Sequence, residues 1–188
     1  MKLLKQIVVL SLLITLSNSC KEEVLPKPKA QLRLEYPSPS YEKISTECPY
    51  IFEVSTNSKI NINDKCWANL DYPQLNASVN MTYRPVEGNL KELLIEAEKL
   101  TFNHTIKADG ISSIPYSNKE KRVYGAIFEV TGNAASPIQF HVTDSTDNFI
   151  TGAVYFNVQP NYDSIKPAIS YLRQDIMRMI ESMQWKNK

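Results

Sequence analysis

The segment Asn76-Ala-Ser-Val-Asn-Met-Thr-Tyr83 alternates between apolar and polar side chains along most of its length. Ala77, Val79, Met81 and Tyr83 occupy its odd-numbered positions, whereas Ser, Asn and Thr occupy the positions between them. Successive side chains of a β-strand point to opposite faces of a sheet. The two-residue period therefore predicts a strand with one face toward the core and one toward solvent.

Runs of similar composition on both sides of this segment predict further strands. The predicted strands are Gln31–Tyr36, Tyr50–Ser55, Trp67–Tyr72, Ile111–Tyr116, Arg122–Thr131, Ile138–Thr143 and Phe149–Asn157. The polar, Asn-rich segment 59–65 is interpreted as a hairpin loop or a short strand. Short, turn-rich connections between successive strands predict antiparallel pairing.

Two segments have the apolar spacing of helices. Asn89 is the predicted cap of a helix over Leu90–His104. Asp163 or Ser164 is the predicted cap of a second helix, with Pro167 in its first turn. Strands, a helix, more strands and a last helix predict an α+β sandwich, in which two main helices cover a mostly antiparallel central sheet.

The first 19 residues have the layout of a signal peptide. Lys2 and Lys5 precede an apolar segment, 7–16, that is too short to cross a hydrocarbon core about 30 Å thick. Small polar residues then lead to Cys20, in a pattern that resembles bacterial lipoprotein signals. In those proteins the cysteine becomes the first residue and carries acyl chains, such as palmitate. The alternative is a secreted protein in which Cys20 is an ordinary thiol.

Residues 20–30 are interpreted as a lipid-anchored tether, because they contain two prolines and no apolar period. The remaining residues, 31–188, suit a single globular domain. Lys21-Glu22-Glu23 resembles the Bacteroidota signal for export to the outer face of the outer membrane, although a solvated tether is the alternative. We expect a lipid-anchored protein of the cell envelope, with the outer membrane favoured and both periplasmic and surface exposure left open.

The composition of the chain bears on its partners. The whole sequence has a formal net charge of +1, and removal of Lys2 and Lys5 leaves 19 basic and 20 acidic residues. Nucleic-acid-binding domains carry a basic excess that this chain lacks, so nucleic acid is not an expected partner.

Cys48 and Cys66 remain once Cys20 is assigned to the lipid. A compartment outside the cytoplasm permits disulfides, and a bridge here would close a loop of about 18 residues. In the chain-entropy model such a bridge contributes roughly 3 kcal/mol to the free energy of unfolding. A pair of free buried thiols is the rival, and a metal site is disfavoured because neither cysteine has a neighbouring cysteine or histidine. We predict the disulfide.

His141, Asp144 and Ser145 supply the residue types of a hydrolytic triad. They lie in one short stretch without a G-x-S-x-G motif, so we interpret them as a strand histidine followed by a turn. The five glycines do not cluster into a phosphate-binding loop. We therefore expect no enzyme activity, no catalytic residues, no cofactor and no metal site.

The chain contains ten tyrosines, a residue that is favoured both at binding surfaces and in sheets. They suggest an alternative function, in which the chain is a small-ligand or glycan-binding module displayed from the membrane.

Several longer stretches resemble the family of the gliding motility lipoprotein GldD. These are Pro26-Lys-Pro-Lys, Cys48-Pro-Tyr-Ile-Phe-Glu, Cys66-Trp-Ala-Asn, Leu100-Thr-Phe-Asn-His-Thr-Ile-Lys-Ala-Asp, Val123-Tyr-Gly, Gly132-Asn-Ala-Ala-Ser, Phe140-His-Val-Thr-Asp-Ser-Thr and Gly152-Ala-Val-Tyr-Phe-Asn. The resemblance implies an envelope lipoprotein that is needed for gliding in Bacteroidota and linked to the type IX secretion apparatus. It also implies membrane contact through the lipid on Cys20 and partners among the other gliding or secretion proteins. No catalytic residues are established for the family.

The C-terminal half is also similar to the layered sheet-and-helix folds of PsbP and Mog-type proteins. This is a likeness of fold, and it carries no implication for function.

Overall fold

The computed structural model of the chain describes residues 36–103, 108–158 and 161–186. Its strands are β1 (Tyr41–Lys43), β2 (Tyr50–Ile51), β3 (Glu53–Ser55), β4 (Lys59–Ile62), β5 (Ala68–Tyr72), β6 (Ala77–Pro85), β7 (Ala108–Asn118), β8 (Val123–Gly132), β9 (Ile138–Thr143), β10 (Asn148–Phe156) and β11 (Gln184–Trp185). Its helices are α1 (Leu90–Asn103) and α2 (Tyr162–Ser182), and Pro73–Leu75 forms a 3-10 turn. The signal peptide, Cys20, the tether and nearly all of the predicted strand Gln31–Tyr36 lie outside the described residues. None of the helices in the described ranges is long and apolar enough to cross a membrane.

A seven-stranded sheet in the order β4-β5-β6-β10-β9-β8-β7 forms the centre of the fold. Each neighbouring pair in this sheet is antiparallel. Strands β4 to β6 form one meander and β7 to β10 form another, and the two meet where β6 pairs with β10 from Ala77↔Phe156 to Pro85↔Asn148. The predicted α+β fold with an antiparallel central sheet and two helices is confirmed.

The inner face of the sheet carries the main core, and α2 packs on this face. On β6 the side chains of Ala77, Val79 and Met81 are all at most 2 % exposed, as their alternation with polar residues predicted. The buried stripe of α2 packs into the same core; its buried apolar members are Ile165, Ala168, Ile169, Tyr171, Leu172, Ile176, Met179 and Ile180. Burial of large apolar side chains such as these is the dominant stabilising contribution to the fold.

The predicted strand Tyr50–Ser55 is divided into two strands by Phe52, which is fully buried. Strand β2 pairs with β11 at the end of the chain, whereas β3 pairs with β1. The strand changes partner at Phe52, so one continuous sequence pattern serves two small sheets. These small sheets and α2 form the layer that covers the inner face.

The predicted cap of α2 is wrong, whereas Asn89 occupies the predicted cap position of α1. Helix α2 begins at Tyr162 after Asn161, because the backbone N–H groups of Ser164 and Ile165 both donate to the Asn161 carbonyl. The side-chain Oδ1 of Asn133 accepts the Tyr162 N–H at 3.1 Å. Because the helix begins at Tyr162, Pro167 lies in its second turn and not in its first. The Asn89 carbonyl accepts the first hydrogen bond of α1 from the Leu93 N–H at 3.1 Å, but the Asn89 side chain accepts from the Glu87 N–H at 2.9 Å, outside the helix.

Asp175 is a buried carboxyl group on α2, with 4 % of its surface exposed. Its Oδ1 accepts a hydrogen bond of 2.8 Å from the Tyr41 hydroxyl. No salt bridge involves Asp175 within the described parts of the chain. Burial raises the pKa of Asp175, and hydrogen bonds such as that from Tyr41 oppose the increase only in part.

Replacement Asp175→Asn is expected to change the pH dependence of stability. A carboxyl group with a raised folded-state pKa contributes stability below its unfolded pKa of about 3.9 and loses that contribution as pH rises through the folded value. The variant should therefore gain stability relative to the wild type as pH increases from 4 to 8. Urea unfolding across this range checks the trend, with the exposed Glu181→Gln as the control. A stability difference that is constant with pH would contradict the prediction.

Candidate functional site

The outer face of the sheet, opposite the main core, carries the candidate site. Helix α1 packs on this face over β9 and β10, where Leu93 and Ala97 form a small apolar cluster with Phe149. Beside α1 lie two adjoining hollows, which together are called the outer-face groove. The first hollow, about 230 Å³, lies between α1 and the sheet, and the second, about 280 Å³, lies over β4, β5 and β6. Asn80 and Thr82 line both hollows and connect them.

Strand register creates a row of amide side chains along the floor of the groove. Asn61 is opposite Asn69 and Asn69 is opposite Asn80, so the row crosses β4, β5 and β6. It continues through Ala153 to Gln139 on β9. Directly opposed residues of an antiparallel sheet share a face, which brings these polar groups together. The Asn69 amide donates to the Asn80 Oδ1.

Gln139 is a buried amide in the first hollow, with 7 % of its surface exposed. The Thr101 hydroxyl of α1 lies 3.1 Å from the Gln139 Oε1, and it also donates to the Ala97 carbonyl at 3.2 Å. Among the described residues, the Gln139 Nε2 has no hydrogen-bond partner. Rotation of the amide by 180° would pair Nε2 with Thr101 and leave Oε1 unpaired instead. In either orientation one polar atom of Gln139 has no partner.

His141 lies next to Gln139 along the outer face of β9 and is 6 % exposed. Its ring lies between Phe128 and Phe149, with centroid distances of 5.8 and 6.0 Å. Burial lowers the pKa of His141, and the nearby Glu98 carboxylate opposes this effect in part. The imidazole is therefore neutral at neutral pH, and its Nδ1 has no hydrogen-bond partner in the described structure.

The residues suggested for a hydrolytic triad have separate structural roles. The Asp144 carboxylate accepts backbone N–H groups of Thr146, Asp147 and Asn148 at 2.8–2.9 Å, and also the Asn148 side-chain amide at 2.6 Å. Burial alone would raise the pKa of Asp144, but these hydrogen bonds outweigh it and hold the pKa below its ordinary value. Ser145 has a positive φ of 70° in the same turn. Asp144 thus organises the β9–β10 turn, and no hydrogen bond joins it to the His141 Nδ1.

Two partly exposed aromatic side chains border the groove. Trp67 is 43 % exposed at the second hollow, and its Nε1 donates to the Tyr83 carbonyl at 3.2 Å. The Lys65 ammonium lies 5.3 Å from the centre of the Trp67 ring. Tyr155 is 36 % exposed at the first hollow. Both rings provide apolar surface beside polar amides.

A disulfide joins Cys48 to Cys66, the residue that precedes Trp67 of the second hollow. The two Cα atoms are 5.5 Å apart, and the bond joins the segment before β2 to the turn between β4 and β5. The buried Tyr50 hydroxyl donates to the Cys66 carbonyl at 2.6 Å. Because Trp67 directly follows Cys66, these two links fix the base of the loop that positions its ring.

The groove is suited to binding and has few groups that could perform chemistry. Its described lining combines amides, hydroxyls, an imidazole and apolar surface, and includes no charged side chain. No three His, Cys, Asp or Glu side chains of the described residues are grouped as metal ligands. The alternation in 76–83 predicts Asn80 and Thr82 on a solvent face but gives no sign of the amide row. The row depends on the register between paired strands. The only sequence signal for the row was the group of asparagines in segment 59–65.

Comparison with known proteins gives one informative result. The model of a family described as gliding motility lipoprotein GldD matches residues 21–185 of the chain. The match contains the two helices and eleven strands of the described residues and every residue of the outer-face groove named above. No curated protein matches the chain.

Proposed function

The chain belongs to the gliding motility lipoprotein GldD family, and from this membership we propose that it is a non-enzymatic accessory component of gliding motility and of the associated type IX secretion machinery. The observation that carries the proposal is the family match, which extends over residues 21–185. Membership identifies the protein as a gliding-related lipoprotein of the cell envelope. The link to secretion and the accessory role go beyond that and form the proposal.

Lipid attachment at Cys20 is the second part of the proposal. The short apolar segment 7–16 and the small polar residues before Cys20 support a signal peptide that is removed at this cysteine. Several acyl chains would then hold the protein at the membrane, since each buried methylene contributes about 0.8 kcal/mol. Residues 20–30 would act as a tether for a single domain formed by residues 31–188. We favour the outer membrane as the site of attachment.

A non-enzymatic role is supported by how the chain uses its candidate catalytic groups. The Asp144 carboxylate accepts four hydrogen bonds within its own turn, which leaves it poorly placed to orient a histidine. The His141 ring packs between two phenylalanines. These are structural uses of residues that a hydrolase would need for proton transfer. Partners are therefore expected among other envelope proteins of the gliding and secretion machinery.

Replacement Cys20→Ser is expected to release the protein from the membrane. The variant should not be acylated, and its membrane-bound fraction should fall by at least about tenfold, because acyl chains supply the membrane affinity. Metabolic labelling with an alkyne analogue of palmitate, followed by fractionation of the envelope, measures both quantities. Ser17→Ala, which keeps the cysteine, is the matched control. Retention of the label by Cys20→Ser would contradict the assignment.

The role in motility is tested by deleting the gene in a gliding host and restoring it. Loss of colony spreading and of type IX cargo secretion, both restored by the wild-type chain, is the expected result. Isolation in mild detergent after crosslinking should recover specific envelope partners. A deletion that changes neither spreading nor secretion, or recovery of the protein alone, would overturn the proposal.

A further inference from the structure

We propose that the outer-face groove is a binding site for a neutral saccharide. This inference goes beyond the proposed role in motility and does not depend on it. It concerns the side chains that line the two hollows, above all Asn80, Gln139, His141, Asn69, Trp67 and Tyr155.

Charge is the first argument for a neutral ligand. No side chain in the described lining of either hollow carries a charge at neutral pH, since burial keeps His141 neutral. Buried or partly buried charges on a ligand need charged or strongly polar partners to offset desolvation. Among the described lining residues an anionic ligand would find amides but no cationic side chain, and the nearest cation named here, Lys65, is held over the Trp67 ring.

Unpaired polar atoms are the second argument. Gln139 and His141 are more than nine-tenths buried, and each has a side-chain polar atom without a partner in the described structure. Nearly all buried polar groups of proteins are hydrogen-bonded, and each exception needs an explanation, of which a bound group is one. Both side chains line the first hollow, so we expect the missing partners to come from a group bound there. An amide has both donors and acceptors, and a neutral imidazole offers one of each.

The pattern of polar and apolar groups is the third argument. A saccharide presents hydroxyl groups, which both donate and accept, around its ring and C–H groups on its faces. The row formed by Asn61, Asn69 and Asn80 supplies amide donors and acceptors in a line, and Asn80 already uses its acceptor toward Asn69. Trp67 and Tyr155 supply exposed rings on which C–H faces can pack. Aromatic rings of this kind bury area while their polar atoms stay hydrogen-bonded.

Size gives the fourth argument. Each hollow is smaller than the roughly 300 Å³ lower limit that is usual for sites of drug-sized ligands. One hollow therefore suits a single sugar unit. The two hollows adjoin at Asn80 and Thr82, so a disaccharide could occupy both. Ala153 lies between Asn80 and Gln139 in the register and leaves the floor open, because its side chain is a single methyl group.

The test is a saturation-transfer difference NMR titration of the full-length lipoprotein, solubilised in a detergent without a sugar headgroup. The neutral probes are glucose, galactose, mannose, N-acetylglucosamine and lactose, and glucuronate is the anionic probe. We expect saturable binding of at least one neutral probe and at least tenfold weaker binding of glucuronate. Asn80→Ala should weaken binding about tenfold, and Ala153→Leu should abolish it by filling the floor.

Ser117→Ala, an exposed residue of the edge strand β7 outside the groove, is the control and should bind like the wild type. Thermal unfolding of each variant separates a binding defect from a folding defect. Both groove substitutions lie on the outer face, away from the main core, so a loss of binding can be distinguished from a loss of stability. Absence of saturable binding for every neutral probe would overturn the proposal. Equal binding of glucuronate, or binding that neither groove variant weakens, would do the same.

Discussion

Gly125→Ala is expected to be among the most damaging single substitutions in the described chain. A Cβ atom at this position would lie 1.9 Å from the backbone carbonyl oxygen of His141, which belongs to the neighbouring strand β9. Backbone atoms of a paired strand cannot rotate away, so β8 and β9 would have to separate locally. We expect the free energy of unfolding to fall by about 3–5 kcal/mol, a value typical of severe core disruption. Urea unfolding followed by circular dichroism measures the loss.

Gly88→Ala is the matched control for this substitution. Gly88 has a φ of +75°, but nothing lies within 4 Å of a Cβ added there. The control should therefore cost only the left-handed backbone penalty of about 1–2 kcal/mol. A Gly125→Ala loss no larger than the Gly88→Ala loss would show that β8 and β9 do not approach as closely as described. Because the clash falls on His141, binding in the outer-face groove should be lost together with stability.

Removal of the disulfide is the second substitution with a large expected effect. The Cys48→Ala, Cys66→Ala double variant should lose about 3 kcal/mol of stability, since the bond spans a sequence separation of 18 residues. For a chain of this length such a loss lowers Tm by roughly 6–12 °C. The effect should centre on the hairpin of β4 and β5, which the bond joins to the segment before β2. Differential scanning calorimetry of the oxidised protein and the variant measures the difference.

Two controls separate the bond from other effects of cysteine loss. Treatment of the wild type with a reducing agent should lower Tm to the value of the double variant. Cys20→Ser should leave Tm unchanged, because Cys20 is not part of the bond. Mass spectrometry of the protein from its native envelope should find Cys48 and Cys66 joined. Two free thiols there, or an unchanged Tm in the double variant, would contradict the expectation.

Local sequence patterns were most informative for the strands with one buried face and for the helices. The alternation in 76–83 correctly predicted which side of β6 is buried, and apolar spacing correctly predicted that α2 is a helix. The bounds of α2 were less predictable, because the Asn133 side chain, 29 residues away, meets the first N–H of the helix. Phe52 shows the same limit, since one of its flanking strands pairs with β1, nearby in the chain, and the other pairs with the distant β11.

The candidate site was the part least accessible to prediction. His141, Asp144 and Ser145 were interpreted as a strand histidine followed by a turn, and the hydrogen bonds of Asp144 agree with that interpretation, but no pattern indicated that His141 lines a groove. Gln139 and Asn80 are 59 positions apart, yet both line the first hollow. No local sequence pattern predicts that these two residues share a hollow, because pairing between distant strands is decided by the packing of the whole sheet.

The sequence by itself determined the class of the fold, the buried side of β6 and the family resemblance, since periodicity and motifs are properties of short segments. Tertiary structure alone decided the strand order, the joining of the two meanders through β6 and β10 and the outer-face groove. The physical reason is that alternation fixes which face of a strand is buried but not which strand becomes its neighbour. Register between strands far apart in the chain then decides which polar side chains share the solvent face.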